Sequence, residues 1–257
     1  MEEKLDNVLN NFIGVTAKSK VAVIVPLFGY DSGNKSSQLG KETLKATLDR
    51  IQTSVHQLYI IFVGDDARIP APIANIIVGK AQAGNAKGVA VEGEKNYVNF
   101  VKTGIKFALE ESDARFILVV NPWVVLQQND IDVMVERINK GDSAKLISGY
   151  DLRGVVEPEV FDDYTNNVPK ETRDITFNFF GMERFLLEMV ELDGRFKTHT
   201  YVERDLWQQI FSKGFDVIVS ERIPIYSFDL DWSELEPKEL LEADRSLFID
   251  KWHFDAL

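Results

Sequence analysis

Three short apolar runs constrain the fold of this chain more than any other feature. They are Val21–Leu27, Leu58–Val63 and Phe116–Val120, and they are rich in β-branched residues. Continuous runs of this kind are typical of strands buried on both faces of a parallel sheet. Between them, apolar residues recur every three or four positions over Lys41–Val55 and Tyr97–Glu110, as they do in helices. This alternation of strand and helix predicts a doubly wound α/β sheet.

The rest of the chain extends the same pattern without an internal repeat or an interdomain linker. Polar, turn-rich residues over Asp151–Thr172 suggest a mobile lid. We therefore expect a single domain over residues 1–257, with a ligand-binding half at 1–150, a second half at 151–228 and a helical tail at 229–257. The further predicted elements are strands at Ala74–Val78, Gly88–Val91, Lys145–Tyr150 and Phe215–Val219, an apolar stretch entering a helix at Phe177–Val190, and helices at Ile131–Ile138, Val202–Lys213 and Pro237–Leu257.

Composition excludes several classes of protein. The net charge is -12, from 29 basic and 41 acidic residues, which argues against broad binding to a phosphate backbone. Cysteine is absent, so disulfides, thiolate zinc sites and cysteine nucleophiles are excluded. The N-terminal stretch has acidic residues, Glu2 and Glu3, where a signal peptide has basic ones, and no apolar run reaches the ~18 residues of a membrane span. We expect a cytoplasmic protein without a transmembrane segment.

Ligands of doubly wound sheets bind beyond the carboxyl ends of the strands. That rule selects three segments as the rim of a site: Phe28–Asn34, Gly64–Arg68 and Asn121–Val124. Asp65 and Asp66 fall in the second segment, where their carboxylates could hydrogen-bond a base or ribose. A polar strand exit is the simpler interpretation of the same two residues.

Several segments, taken in order, resemble the family 2 glycosyltransferases. They are VAVIVPLFG, LYIIFVGDD, NFVKTGIKFALEESDARFILVVNPW, FFGMERFLLEMVELDGRF and YVERDLWQQIFSKGFDVIV, and the resemblance as a whole covers roughly Val21–Tyr226. Each match alone is weak, and the argument rests on their order and spacing. The resemblance implies a GT-A-like fold of the α/β class, a Rossmann-type mixed sheet, mostly parallel, flanked by helices on both faces. It also implies inverting transfer of a hexose from a nucleoside-diphosphate sugar to an unknown acceptor.

The resemblance also implies roles for particular residues. Glu203 stands where the family places its catalytic carboxylate, and Asp205 matches a later acidic position; helix N-terminal charge compensation is the alternative for both. Trp123 could stack on a sugar or base, although a tryptophan after a buried strand is more often part of the core. The residues expected to bind the nucleotide sugar are Asp65, Asp66, Phe28, Tyr30, Lys102, Asn121 and Trp123.

The chain departs from the family at its metal site. An Asp-x-Asp pair normally holds a divalent cation against the diphosphate, but Asn121, Pro122 and Trp123 stand there. A further histidine ligand is replaced in the stretch Tyr226–Phe228, and none of His56, His199 and His253 is assigned to a metal. We therefore expect no metal site and no cofactor, with cationic side chains supplying the missing charge. The candidates are Lys102, Arg173, Arg184 and Arg204, of which Lys102 is the strongest by position.

The residues leave several functions open. The protein could transfer a sugar without metal, bind a nucleotide sugar or glycan without turnover, or serve as an assembly subunit that partners an active transferase. A nucleotidyltransferase would share the sheet, but GYDSGNKSS only loosely approximates its phosphate loop. The aromatic residues Trp252 and Phe254 could form a contact in a homo-oligomer or pack back on the core; the second is more usual.

Overall fold

The computed structural model describes residues 19–28, 44–53, 55–65, 71–82, 86–91, 93–140, 145–151, 178–227 and 236–253. Within these ranges the chain forms eight strands and seven helices. The strands are β1 Lys20–Pro26, β2 Gln57–Gly64, β3 Ala86–Ala90, β4 Phe116–Val120, β5 Val124–Val125, β6 Lys145–Asp151, β7 Phe179–Glu183 and β8 Asp216–Ser227. The helices are α1 at 44–50, α2 Ala71–Gln82, α3 Tyr97–Glu111, α4 Asp130–Asn139, α5 Arg184–Met189, α6 His199–Ser212 and α7 Lys238–Trp252.

The eight strands form one sheet in the order β3-β2-β1-β4-β7-β6-β8-β5. The first four in this order are mutually parallel, and β7 runs antiparallel between β4 and β6. β6 and β8 are parallel to each other, and β5 pairs antiparallel with the end of β8. Helices flank the sheet on both faces, so the predicted mixed, mostly parallel α/β architecture is confirmed.

The apolar runs form the core because both faces of their strands are covered. Residues 21–25 and all of β4 are at most 1% exposed, as expected for strands without a solvent face. Helix α3 lies close against β1 and β2: a Cβ on Gly104 would meet the Ile24 side chain at 2.4 Å. This glycine therefore sets the distance between α3 and the sheet.

One predicted strand is wrong. Residues Ala74–Val78 lie inside the helix α2 rather than in a strand. The β-branched stretch Ile76–Val78 suggested a strand, but β-branching lowers helix propensity only slightly, and the position of the segment between two parallel strands requires a crossover. The predicted lid at Asp151–Thr172 lies outside the described residues apart from Asp151 itself, and so do Tyr30 and Asp66.

The sheet topology brings several strand ends to one edge. Because β7 is antiparallel to β4, its first residues lie beside the last residues of β4, with Val120 opposite Phe179. The carboxyl ends of β6 and β8 lie at the same edge, since both strands run opposite to β7. A bulge between Gly149 and Tyr150 of β6 shifts the register of β8, so that Asp151 pairs with Ile225. This edge carries the candidate site.

Candidate functional site

A chain of hydrogen bonds joins four elements at this edge. Asp151 Oδ2 accepts from Asn178 Nδ2 at 2.7 Å, and Asn178 Oδ1 accepts from Trp123 Nε1 at 2.9 Å and from Asn121 Nδ2 at 3.3 Å. Asn121 Oδ1 in turn accepts from the Tyr97 hydroxyl at 3.1 Å. We call these five residues, together with Glu203, the edge network. Glu203 joins it because its Oε1 lies 3.3 Å from the Tyr97 hydroxyl.

The direction of this chain is fixed by groups that can act in only one way. An indole N–H only donates and a carboxylate only accepts, so Trp123 and Asp151 orient the Asn178 amide between them. With its oxygen toward Trp123, Asn178 can also accept from the Asn121 NH₂ group, which turns the Asn121 oxygen toward Tyr97. The Tyr97 hydroxyl can donate its proton to Asn121 Oδ1 or to Glu203 Oε1.

The edge network is buried. Asn121 is 0% exposed, Trp123 2% and Glu203 8%. Burial raises the pKa of Tyr97 well above its ordinary value, and the nearby charge of Glu203 raises it further. Tyr97 is therefore a neutral hydroxyl at any physiological pH and serves the network as a donor.

The start of α6 lies against the same tyrosine. The His199 ring packs edge-on against the Tyr97 ring, with centroids 5.7 Å apart, and its Nδ1 lies 2.9 Å from Glu236 Oε2. Asp244 of α7 accepts from the backbone N–H groups of Lys197 and Thr198 at 2.9 and 2.8 Å and from the Thr198 hydroxyl. These carboxylates satisfy N–H groups that a helix N-terminus leaves without partners.

Four of the predicted site residues are brought together here: Asn121, Trp123, Glu203 and Phe28. The Phe28 ring contacts Tyr97 and Phe100 edge-on, at centroid distances of 6.0 and 5.6 Å. Asp65 follows β2, two strands from β4 and therefore about 10 Å along the same edge. An apolar cleft of about 190 Å³ opens beside it, lined by residues of the strand ends and α2: Leu27, Phe62, Gly64, Ala74, Ile77, Val78, Gly88 and Val89.

Two predicted site residues lie elsewhere. Asp205 is 0% exposed, and its carboxylate accepts from Trp252 Nε1 and Lys251 Nζ at 2.8 Å each and from Gln209 Nε2 at 2.7 Å. It stands two residues from Glu203 on α6, so its side chain is directed toward α7 instead of Tyr97. Lys102 contacts Glu191 at 3.5 Å and the Leu192 carbonyl at 3.4 Å, lining a separate groove between α3 and the chain after α5.

The other predicted cations have contacts of their own. Arg184 donates to the Ser112 and Leu109 carbonyls at the end of α3, and Arg204 lies over the Tyr201 ring. Arg173 is outside the described residues. Lys197, which the sequence did not single out, pairs with Glu94 and is adjacent to the N-terminus of α6.

Sequence reasoning also missed Asn178, Tyr97, Asp151, His199 and Glu236. The available signal for Asn178 was a lone amide among aromatic residues just before a buried strand, in TFNFF. Tyr97 looked like an ordinary helix residue, because nothing in the sequence shows that α3 begins beside the end of β4. Only the sheet order, with β7 inserted antiparallel, brings Asn178 next to Asn121.

A divalent metal does not fit the residues present. The Asn121 and Asn178 oxygens already accept hydrogen bonds, the Trp123 indole has no lone pair to offer, and Asp151 is the one carboxylate at the strand ends of the edge network. In the part of the chain that the structure describes, no three His, Asp or Glu side chains are grouped as metal ligands. We therefore derive no step through a metal.

Comparisons with known proteins reveal similarity in structure only. No protein-family model matches the sequence, and no curated protein matches it. The solved structures to which the chain is similar include GalNAc-T7 with UDP, GalNAc and Mn²⁺ (12% identity, TM-score 0.57), the mannosyltransferase PcManGT from Pyrobaculum calidifontis with GDP-Man and Mn²⁺ (13%, 0.56), and glucosyl-3-phosphoglycerate synthase from Mycobacterium tuberculosis with phosphoglyceric acid (10%, 0.55).

These matches cover 91%, 90% and 94% of this chain, in the same order. They cover 49% of the GalNAc-T7 chain, 61% of the mannosyltransferase and 82% of the synthase, so this chain spans about half the length of the first. At 10–13% identity the similarity establishes the fold, which is that of GT-A-like glycosyltransferases. None of the described helices is both long and apolar enough to cross a membrane.

Proposed function

We propose that this protein transfers a sugar from a nucleoside-diphosphate sugar to an acceptor, with inversion at the anomeric carbon and without a metal ion. The observation that carries the proposal is the edge network. On a GT-A-like fold, a neutral amide and an indole, Asn121 and Trp123, stand where the sequence resemblance expects a metal-binding carboxylate pair, and the network links them to a buried carboxylate on α6.

The geometry of the edge supports a donor of this class. The cleft is apolar and large enough for a nucleobase, and Asp65, which directly follows the lining residue Gly64, would hydrogen-bond the base or ribose. The edge network lies about 10 Å away, two strands along the sheet, so a diphosphate would bridge the two. Glu203, which the resemblance implies as the base, lies on α6 in this network, with its Oε1 3.3 Å from the Tyr97 hydroxyl.

Positive charge must replace the metal beside the leaving diphosphate. Lys102 remains the candidate from the sequence, but its described contacts hold it to Glu191 and Leu192. Lys197 is a second candidate by position, because it directly precedes Thr198 and His199 at the N-terminus of α6; its described contact is with Glu94.

The test is nucleotide binding with EDTA present. We expect UDP or GDP to raise the melting temperature of the wild type in EDTA, and added Mn²⁺ to change the shift little. Asp65→Asn should weaken nucleotide binding, whereas Asp49→Asn, at an exposed position of α1, should leave it unchanged. Release of free sugar from a panel of nucleotide sugars then identifies the donor. A shift seen only with Mn²⁺, or no shift with any nucleotide, would contradict the proposal.

One observation favours a second candidate, a binding or assembly subunit without activity. Asn121 and Trp123, both expected to touch the donor, are sealed in the fold at 0% and 2% exposure. Contact with a sugar would require neighbouring residues to move. Nucleotide binding in EDTA without any turnover would support this candidate over the transferase.

A further inference from the structure

His199 is held by a buried carboxylate through two contacts. Glu236 Oε2 lies 2.9 Å from His199 Nδ1, and Glu236 Oε1 accepts the backbone N–H of the same residue. Glu236 is 3% exposed, while 16% of the His199 side chain remains accessible. A carboxylate that hydrogen-bonds both the ring and the backbone N–H of one histidine restricts the orientation of that ring.

The position of Glu236 determines where the ring carries its proton. Glu236 Oε1 accepts an N–H at the first turn of the 14-residue helix α6. A carboxylate oxygen accepts, so the contact of Oε2 with the ring assigns the N–H to His199 Nδ1. In the neutral ring the lone pair is then on Nε2, which becomes the proton-accepting atom.

The His199 imidazole lies on the same face of α6 as Glu203. His199 and Glu203 are four residues apart, so their side chains occupy the same face one turn from each other. Tyr97 contacts both, with its ring against His199 and its hydroxyl 3.3 Å from Glu203. Glu203 is 8% exposed, whereas 16% of the His199 side chain is accessible, so the imidazole is the more open of the two groups to an acceptor.

We propose that His199, oriented by Glu236, takes the proton from the acceptor hydroxyl in the transfer proposed above. The acceptor oxygen forms the new bond to the anomeric carbon, its proton passes to His199 Nε2, and the bond to the diphosphate breaks with its electron pair leaving on the nucleoside diphosphate. Glu203 is then a positioning residue that acts through Tyr97. The assignment rests on the proposed function.

Several other charged groups among the described residues lie near this ring. Glu203 follows on α6, Asp244 of α7 holds the Thr198 hydroxyl and backbone, and Lys197 is paired with Glu94. Glu236 Oε2 contacts the imidazole ring directly. Removing its charge should therefore have the largest effect on the proton affinity of His199.

The first measurement is independent of activity. Two-bond ¹H–¹⁵N spectra of the full chain report tautomer and titration for the three histidines, and His199→Asn identifies the His199 signals. We expect the Nδ1–H tautomer, and a titration that moves to lower pH in Glu236→Gln but not in Glu239→Gln, an exposed site on α7. An Nε2–H tautomer, or a titration that Glu236→Gln leaves unmoved, would overturn the assignment.

The second measurement is the pH profile of sugar release from the donor. His199→Asn should lower kcat by about 100-fold or more, while nucleotide affinity stays within about twofold. Glu236→Gln should move the acidic limb of kcat to lower pH, since the imidazolium loses its partner charge. If Glu203→Gln moves that limb and Glu236→Gln does not, Glu203 is the base and the inference fails while the transferase stands. If the wild type releases no sugar at any pH, the proposed transferase and this assignment fail together.

Discussion

At the scale of single residues, the edge network shows how amides can fill a place where the resemblance expects metal-binding carboxylates. Paired carboxylates at the end of β4 would repel each other without a cation between them. Asn121 and Asn178 avoid that repulsion because each amide accepts through its oxygen and donates through its nitrogen. The amides therefore hydrogen-bond each other without needing a cation, and Asn178 is the central residue of the network.

Replacing Asn178 should be costly. In Asn178→Ala the indole of Trp123, the amide of Asn121 and the carboxylate of Asp151 each lose a hydrogen bond in a buried region. We expect a loss of about 3 kcal/mol in the free energy of unfolding, measured by urea denaturation. Asn139→Ala, at an exposed residue that ends α4, is the matched control. Equal stability of the two variants would show that the network does not support the fold.

Asp130 should make stability depend on pH. Burial raises its pKa to about 7, against the Gln127 N–H and the charge of Arg50, which both favour the ionised form. When folding raises the pKa of a carboxyl, its contribution to the free energy of unfolding is fully present below the unfolded-state pKa of about 4. That contribution is lost as pH rises through the folded-state pKa of about 7. The loss approaches about 4 kcal/mol above pH 8. Asp130→Asn should remove this dependence, whereas Asp49→Asn should keep it, as urea denaturation at pH 4–8.5 would show.

At the scale of elements, the sequence predicted most of the fold and three residues of the edge network, but not Asn178, Tyr97 and Asp151. The predicted strand at Phe116–Val120 has the observed bounds, because a continuous apolar run followed directly by Asn-Pro marks where the strand ends. The helix α2 was mistaken for a strand because its β-branched stretch has no clear helical period. The contacts of Asn178 and Tyr97 depend on strand order and helix placement, which are set by packing between distant segments and leave no local pattern.

Helix α3 offers a direct test of such packing. In Gly104→Ala the new methyl group would lie 2.4 Å from Ile24 Cγ2 and 2.9 Å from Val63 Cγ2, so the helix must move away from β1 and β2. We expect a loss of about 1–3 kcal/mol in unfolding free energy. Gly79→Ala, on the exposed side of α2, meets nothing within 4 Å and should stabilise by about 0.5–1 kcal/mol. Destabilisation by Gly104→Ala together with stabilisation by Gly79→Ala would confirm that the close approach of α3 to the sheet, and not helix propensity, determines the effect of Gly104→Ala.

At the scale of the whole molecule, α7 connects the end of the chain to the candidate site. Lys251 and Trp252 at its carboxyl end hold the buried Asp205, and Asp244 near its middle holds the start of α6. Lys251 also contacts Asp193, whose pKa is lowered chiefly by Arg195 and also by Lys251. Docking of α7 therefore positions the same helix that carries His199 and Glu203.

Weakening the contacts between α7 and α6 should increase backbone amide exchange at the N-terminus of α6. In Lys251→Met the carboxylate of Asp205 keeps Trp252 and Gln209 but loses its cation in a fully buried position, which should cost about 3 kcal/mol of unfolding free energy. Because Asp244 and Glu236 belong to the same docked segment, the backbone N–H groups of Lys197, Thr198 and His199 should exchange faster with solvent in this variant. Lys238→Met, at an exposed residue of α7, should change neither quantity. Unchanged exchange at those three amides, despite lower stability, would mean that the two ends of α7 are docked independently and that the site does not depend on Asp205.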